Sequence, residues 1–225
     1  MDNTVPLDLS GITTYSIKER KSKVDVNDFA VPWQPKESFA GFLKSLPSIL
    51  ASEDLMAVIA DMARAAKTRK EICFAMGAHV IKVGLNPVVI DLMERRIITM
   101  LSMNGAGIIH DLEVAMTGKT SEDVAQSLGD GAFGMAEETS SFLARAIKNS
   151  SRSSMGLGRA VGELINREQL PHRDKSLTAA GAMLNLPVTV HVAMGTDILH
   201  MHPDFDPGAC GAASHLDFRR FAARI

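Results

Sequence analysis

From Ser38 onward, apolar residues recur at helical spacing, and Pro47 ends or kinks the first such stretch. Ser52 is placed to cap the next helix. Glu53 and Asp54 suit its electropositive start, and Lys67, Arg69 and Lys70 suit its end. Leu55, Ile59, Met62 and Ala66 mark its buried face. Residues 1–37 lack this periodicity. Their charged cluster from Lys18 to Lys23, followed by Val31-Pro32-Trp33-Gln34-Pro35, fits an extended arm, with the folded domain spanning 38–225.

A strand-turn-helix rhythm follows. Ile72–Met76 is an apolar run broken by Gly77, and Asn86-Pro87 opens a helix through about Arg95, with proline where its missing N–H costs least. Ile97–Met103 is a second run, ended by Asn104-Gly105-Ala106-Gly107, and a helix then extends to Met116 before Gly118 stops it. Thr120-Ser121-Glu122-Asp123 has the form of a cap with acids in the first turn. Helical stretches near 136–149, 155–168 and 175–185 precede a third strand, Pro187–Met194, and another helix is expected over His215–Ile225. The chain stops inside that last pattern, as a truncated end would. Continuous apolar strands alternating with amphipathic helices predict an α/β fold whose parallel sheet is covered on both faces. Ligands in such folds sit beyond the carboxyl ends of the strands, so the segments after Met76, Met103 and Met194 are the informative ones.

Composition narrows the function. With 24 Lys and Arg against 26 Asp and Glu, the formal charge of -2 offers no long-range attraction for nucleic acid. No secretory start or run of about 18 apolar residues is present, which points to a cytoplasmic protein with no membrane association. Cys73 and Cys210, the latter in a Gly/Ala-rich stretch expected to be a loop, are too few for a disulfide framework and are expected as thiols.

Three segments could carry chemistry. In Gly77–Gly84, backbone amides, His79 and Lys82 could meet an anion, although a plain tight turn with solvated side chains explains the same residues more simply. Asn104–Asp111 could let backbone approach a phosphate or ribose, but His110 stands where the last glycine of a dinucleotide fingerprint belongs. His110 and Asp111 are either a proton-transfer pair or ordinary residues early in a helix. In Gly195–Asp206, His200 and His202 lie on one side if the segment is extended, either as a hydrogen-bonding substrate loop or as metal ligands. The substrate loop is the better supported, since spacing fixes no third ligand; no metal is assigned.

Together, GAHVIKVGLNPVVIDLMERRIITMLSMNGAGIIHDLEVAMTGKTSEDV and DGAFGMAEET, with LPVTVHVAMGTDILHMHP downstream, resemble deoxyhypusine synthase, especially its bacterial and archaeal branch. The resemblance implies a Rossmann-like fold binding NAD, a homotetramer with sites between subunits, and transfer of an aminobutyl group from spermidine to an acceptor amine or protein lysine. It places the cofactor at Ala78, His79 and Lys82, at Asn104, Gly105, Ala106, Gly107 and Asp111, and at Thr196 and Asp197. His110, His200 and His202 fall on the substrate side. Ile109 and His110 stand where the family carries two glutamates, and His200 and His202 stand where it supplies an acid for the polyamine, so a substrate bearing a carboxylate or other acceptor group is expected. No catalytic lysine is nominated among Lys82, Lys119, Lys148 and Lys175, because none occupies the family's glycine-rich context. The alternative is a noncatalytic binding or assembly protein that keeps the fold.

Overall fold

The computed structural model describes residues 4–124, 129 and 131–225. Asp130, within the block of resemblance above, lies outside them, as does the start of the arm. The chain divides into two compact units, Met1–Asp61 and Met62–Ile225.

In the first unit the arm is extended apart from short 3-10 turns at Ile17–Glu19 and Val26–Asp28. Helix α1 (Phe39–Ser45) is capped by Ser38, whose Oγ accepts from the Gly41 amide at 3.2 Å, and it ends at extended Leu46 ahead of Pro47. The arm is pinned to the end of α1 by Val31 N–H to Ser45 O at 3.0 Å and Ser48 N–H to Asp28 O at 2.9 Å. Helix α2 (Leu50–Lys67) crosses the division between the units and corrects two expectations. It begins ahead of Ser52, so that residue lies inside the helix, and its hydroxyl caps nothing. Its apolar stripe is also not buried: Leu55 and Ile59 are exposed, and Met62 and Ala66 are only half-buried.

The second unit holds the α/β fold. Strands β1 (Cys73–Met76), β2 (Met100–Asn104) and β3 (Val188–His191) form a parallel sheet in the order β1-β2-β3, with Met76 beside Met103 and Asn104 beside His191. Short α3 (His79–Lys82) and α4 (Asn86–Glu94) link β1 to β2. Among the described residues, helices α5 (Gly105–Thr117), α6 (Glu137–Ser153), α7 (Leu157–Arg167) and α8 (Leu177–Leu184) link β2 to β3. This flanking of a parallel sheet by helices is a Rossmann-like α/β arrangement. The middle strand is the most enclosed, with Met100, Leu101, Ser102 and Met103 all buried, and its apolar residues join Met93, Ile108, Leu112, Phe142, Leu164 and Val190 in one core.

Helix α5 stops at Gly118 in the left-handed conformation, where the turn demands it (φ 70°). Strand β3 is shorter than its apolar run because a turn closes behind it, with Thr196 N–H bonding Ala193 O at 3.0 Å and Gly195 at φ 87°. The last helix, α9, spans Pro207–Ala222 and starts eight residues before His215. Asp206 caps it by accepting from the Ala209 amide at 2.9 Å, and Pro207 opens it. Cys210 is therefore a buried helical thiol packed into the core, not a loop residue. Among the described residues, no helix is long and apolar enough to cross a membrane.

Candidate functional site

Beyond the carboxyl ends of the strands lies a cavity of about 270 Å³. It is lined by Lys82 from α3, by Ala106, His110 and Glu113 from α5, by Glu122, and by Thr196, Asp197 and His202 after β3. The structure thus gathers Lys82, Ala106, His110, Thr196, Asp197 and His202 of the expected residues. It leaves Ala78, His79, Asn104, Gly105, Gly107, Asp111 and His200 out of the lining. Glu113 and Glu122 were not anticipated. Glu113 was findable as the i+3 neighbour of His110 on one helix face. Glu122 was assigned to a helical first turn, whereas residues 121–123 are irregular and its Oε1 accepts from the Gly134 amide at 2.9 Å.

Glu113, Thr120 and His110 form a hydrogen-bonded chain. Thr120 Oγ1 donates to Glu113 Oε2 at 2.5 Å, His110 Nδ1 lies 2.6 Å from Thr120 Oγ1, and it stands 3.5 Å from Glu113 Oε2. Burial alone would raise the Glu113 carboxyl, but the hydrogen bonds from His110 and Thr120 outweigh it, so its pKa falls below the ordinary value.

The glycine turn after β2 is filled by the protein's own side chains. Asn104 Oδ1 accepts from the Gly107 amide at 2.9 Å as the cap of α5. A Cβ on Gly105 would lie 2.0 Å from Asp197 Oδ2, so Asp197 rests its carboxylate on the first turn of α5; that same oxygen accepts from Ala193 N–H at 3.0 Å. At Gly107, a Cβ would press on Met103 at 3.0 Å. Asp111 is fully buried and faces away from the cavity. It accepts from Leu177 N–H (2.7 Å), Thr178 N–H (3.0 Å), Thr178 Oγ1 (2.7 Å) and Ser176 Oγ (2.7 Å) at the start of α8. In this structure Asp111 caps α8.

These contacts test the fit of NAD. An anionic diphosphate needs free amides at a helix start, and here Asn104 takes the Gly107 amide while the Asp197 carboxylate lies against Gly105. The residues do not fit a diphosphate at this turn.

His200 and His202 also part company. A 3-10 turn, Ile198–Met201, replaces the extended segment, so residues two apart no longer share a side. His200 Nδ1 accepts from Gly195 N–H at 3.1 Å, its ring lies 4.7 Å from that of Phe205, and its buried Nε2 has no partner among the described residues. His202 Nε2 donates to Gly134 O at 3.1 Å, since a carbonyl only accepts. Among the described residues no three His, Cys, Asp or Glu side chains converge as a metal site.

No family model and no curated protein matches the sequence. Among solved structures, the chain is similar to a protein from Entamoeba histolytica described as a "putative deoxyhypusine synthase", at 13% identity and a TM-score of 0.48 over 72% of this chain. The aligned part spans 63% of that protein.

Proposed function

We propose that the cavity binds a small aliphatic amine in its ammonium form. The observation that carries this is the charge of the lining: Glu113, Glu122 and Asp197 face one small volume, and among the described residues Lys82 is its sole fixed cation. An ammonium entering this volume gains several carboxylate partners, whereas the carboxylate-bearing substrate suggested by His200 and His202 would meet like charge. The sequence resemblance supplies the reaction class: transfer of an aminobutyl or related group to an acceptor amine or a protein lysine, with any NAD held elsewhere than at the α5 turn. The amine reading rests on the carboxylates of the lining and requires no NAD at the α5 turn. A binding protein that holds the amine without transferring it is the second reading, favoured by the Asp197 carboxylate seated on α5. We also propose a homo-oligomer, the tetramer of the resemblance, assembled through the exposed apolar stripe of α2.

Calorimetric titration with spermidine, with and without NAD, tests the cavity. Binding without NAD is expected, weakened about tenfold by Glu122→Gln. Mass spectrometry of the same mixtures for aminobutylated protein or amine then separates transfer from binding alone. No heat of binding under either condition overturns the amine reading.

A further inference from the structure

Among the described residues, only Nδ1 of the two ring nitrogens of His110 is engaged. Thr120 has a single hydroxyl proton, and at 2.5 Å from Glu113 Oε2 that proton lies on the line to the carboxylate. The reverse arrangement would need Glu113 to carry a proton, and its carboxyl titrates below the ordinary range. Thr120 Oγ1 can therefore only accept from His110, at 2.6 Å, which places the proton of the neutral imidazole on Nδ1. Its Nε2 is left as a lone pair. The ring lines the cavity with its Nδ1 edge turned to Thr120, and no described group bonds Nε2.

We infer that His110 is a specificity-determining acceptor, locked by Thr120 and Glu113, which requires the cation in this cavity to carry an N–H. Resting on the amine reading of the same cavity, it narrows the ligand class. The carboxylates attract any cation, but a lone pair rewards only one with a proton to donate and leaves a fully alkylated ammonium without a partner. Primary, secondary and tertiary amines in their ammonium forms are accepted, and quaternary ones are rejected. The other charged or titratable groups lining this cavity are Lys82 on α3, Glu113 on α5, Glu122 after it, and Asp197 and His202 after β3; α6 contributes Thr139, Ser140 and Leu143, which carry no charge.

The test has two independent arms. Nitrogen-15 NMR of the full chain, with the His110 signals assigned by loss in His110→Phe, is expected to show the Nδ1–H tautomer in the wild type and its loss in Thr120→Val. Calorimetry then compares 1,4-diaminobutane, its tetramethyl analogue with one N–H per nitrogen once protonated, and its hexamethyl analogue with none. The first two are expected to bind about 10-fold or more tightly than the third, a hydrogen bond to a charged group setting the scale. In His110→Phe that gap closes. The middle compound separates proton donation from bulk. An Nε2–H tautomer in the wild type overturns the inference, as does equal binding of all three. If no cation binds while the Nδ1–H tautomer is seen, the amine reading fails and the ligand inference falls with it, whereas the lock on His110 stands.

Discussion

Asp111 and Asp217 are fully buried carboxylates that cap helices distant in sequence. Asp217 Oδ2 accepts from Gly158 N–H at the start of α7 and from Val190 N–H in β3, both at 3.0 Å, while Oδ1 has no hydrogen-bond partner among the described residues and stands 3.7 Å from Arg220. Burial pushes the Asp217 carboxyl up to about 6 against the lowering effect of those bonds. The folded protein thus holds this proton more tightly than the unfolded chain does. The corresponding stabilisation is fully present below about pH 4 and is lost as pH rises through about 6, with a span of about 3 kcal/mol. Denaturant titrations between pH 4 and 7 should show Asp217→Asn losing this slope relative to wild type; parallel curves would refute the assignment. Asp217→Ala should be less stable at every pH, by about 2 to 5 kcal/mol, because two buried amides lose their acceptor. Asp111→Ala should likewise unfold at lower denaturant, since the amides of Leu177 and Thr178 depend on it. Neither role was visible in the sequence. An aspartate inside an apolar stretch looks functional until the amides facing it are known, and those lie 27 to 67 positions away.

At the scale of elements, the start of α5 shows what a glycine turn is for in this fold. Glycine to alanine inside a helix ordinarily gains about 1 kcal/mol. At Gly105 the new Cβ meets the Asp197 carboxylate, so Gly105→Val should displace it, lower stability by about 1 to 3 kcal/mol and weaken spermidine binding. Adding Asp197→Ala to Gly105→Val should cost little more in affinity, because both changes remove the same carboxylate from the cavity. Additive losses by calorimetry would show that they act separately. Local punctuation made this part of the chain legible: Gly77, Asn86-Pro87, Asn104 and Gly118 bound their elements much as expected. Elsewhere local signals misled. Gly208 and Gly211 made the first half of α9 resemble a loop, although Asp206-Pro207 already marked its start. The chain near Ile198 curled into a 3-10 turn, and with it the shared face of His200 and His202 disappeared. The acidic character of the cavity came from Glu113 and Glu122, which only tertiary folding places beside Asp197.

Across the whole molecule, apolar burial is uneven. Among the described residues, every buried hydrophobic side chain lies at Ala78 or beyond, while Leu50, Leu55, Val58 and Ile59 of α2 and most apolar residues of the arm are exposed. The core therefore owes little to the first unit. A chain of residues 62–225 should unfold cooperatively with a midpoint within a few degrees of the full-length protein, because about 1 kcal/mol moves a chain of this size by only about 2 to 4 °C. The exposed stripe predicts a different effect on assembly. Burying Leu55, Val58 and Ile59 against another copy would remove apolar area from water at about 25 cal/mol per Å². Light scattering should then find the full chain as an oligomer, and both the 62–225 chain and a Leu55→Glu/Ile59→Glu variant as monomers with their thermal midpoints nearly unchanged. A monomeric full chain, or an oligomer that survives both changes, would remove α2 from the interface. A 62–225 chain that fails to fold would instead show that the first unit supports the core.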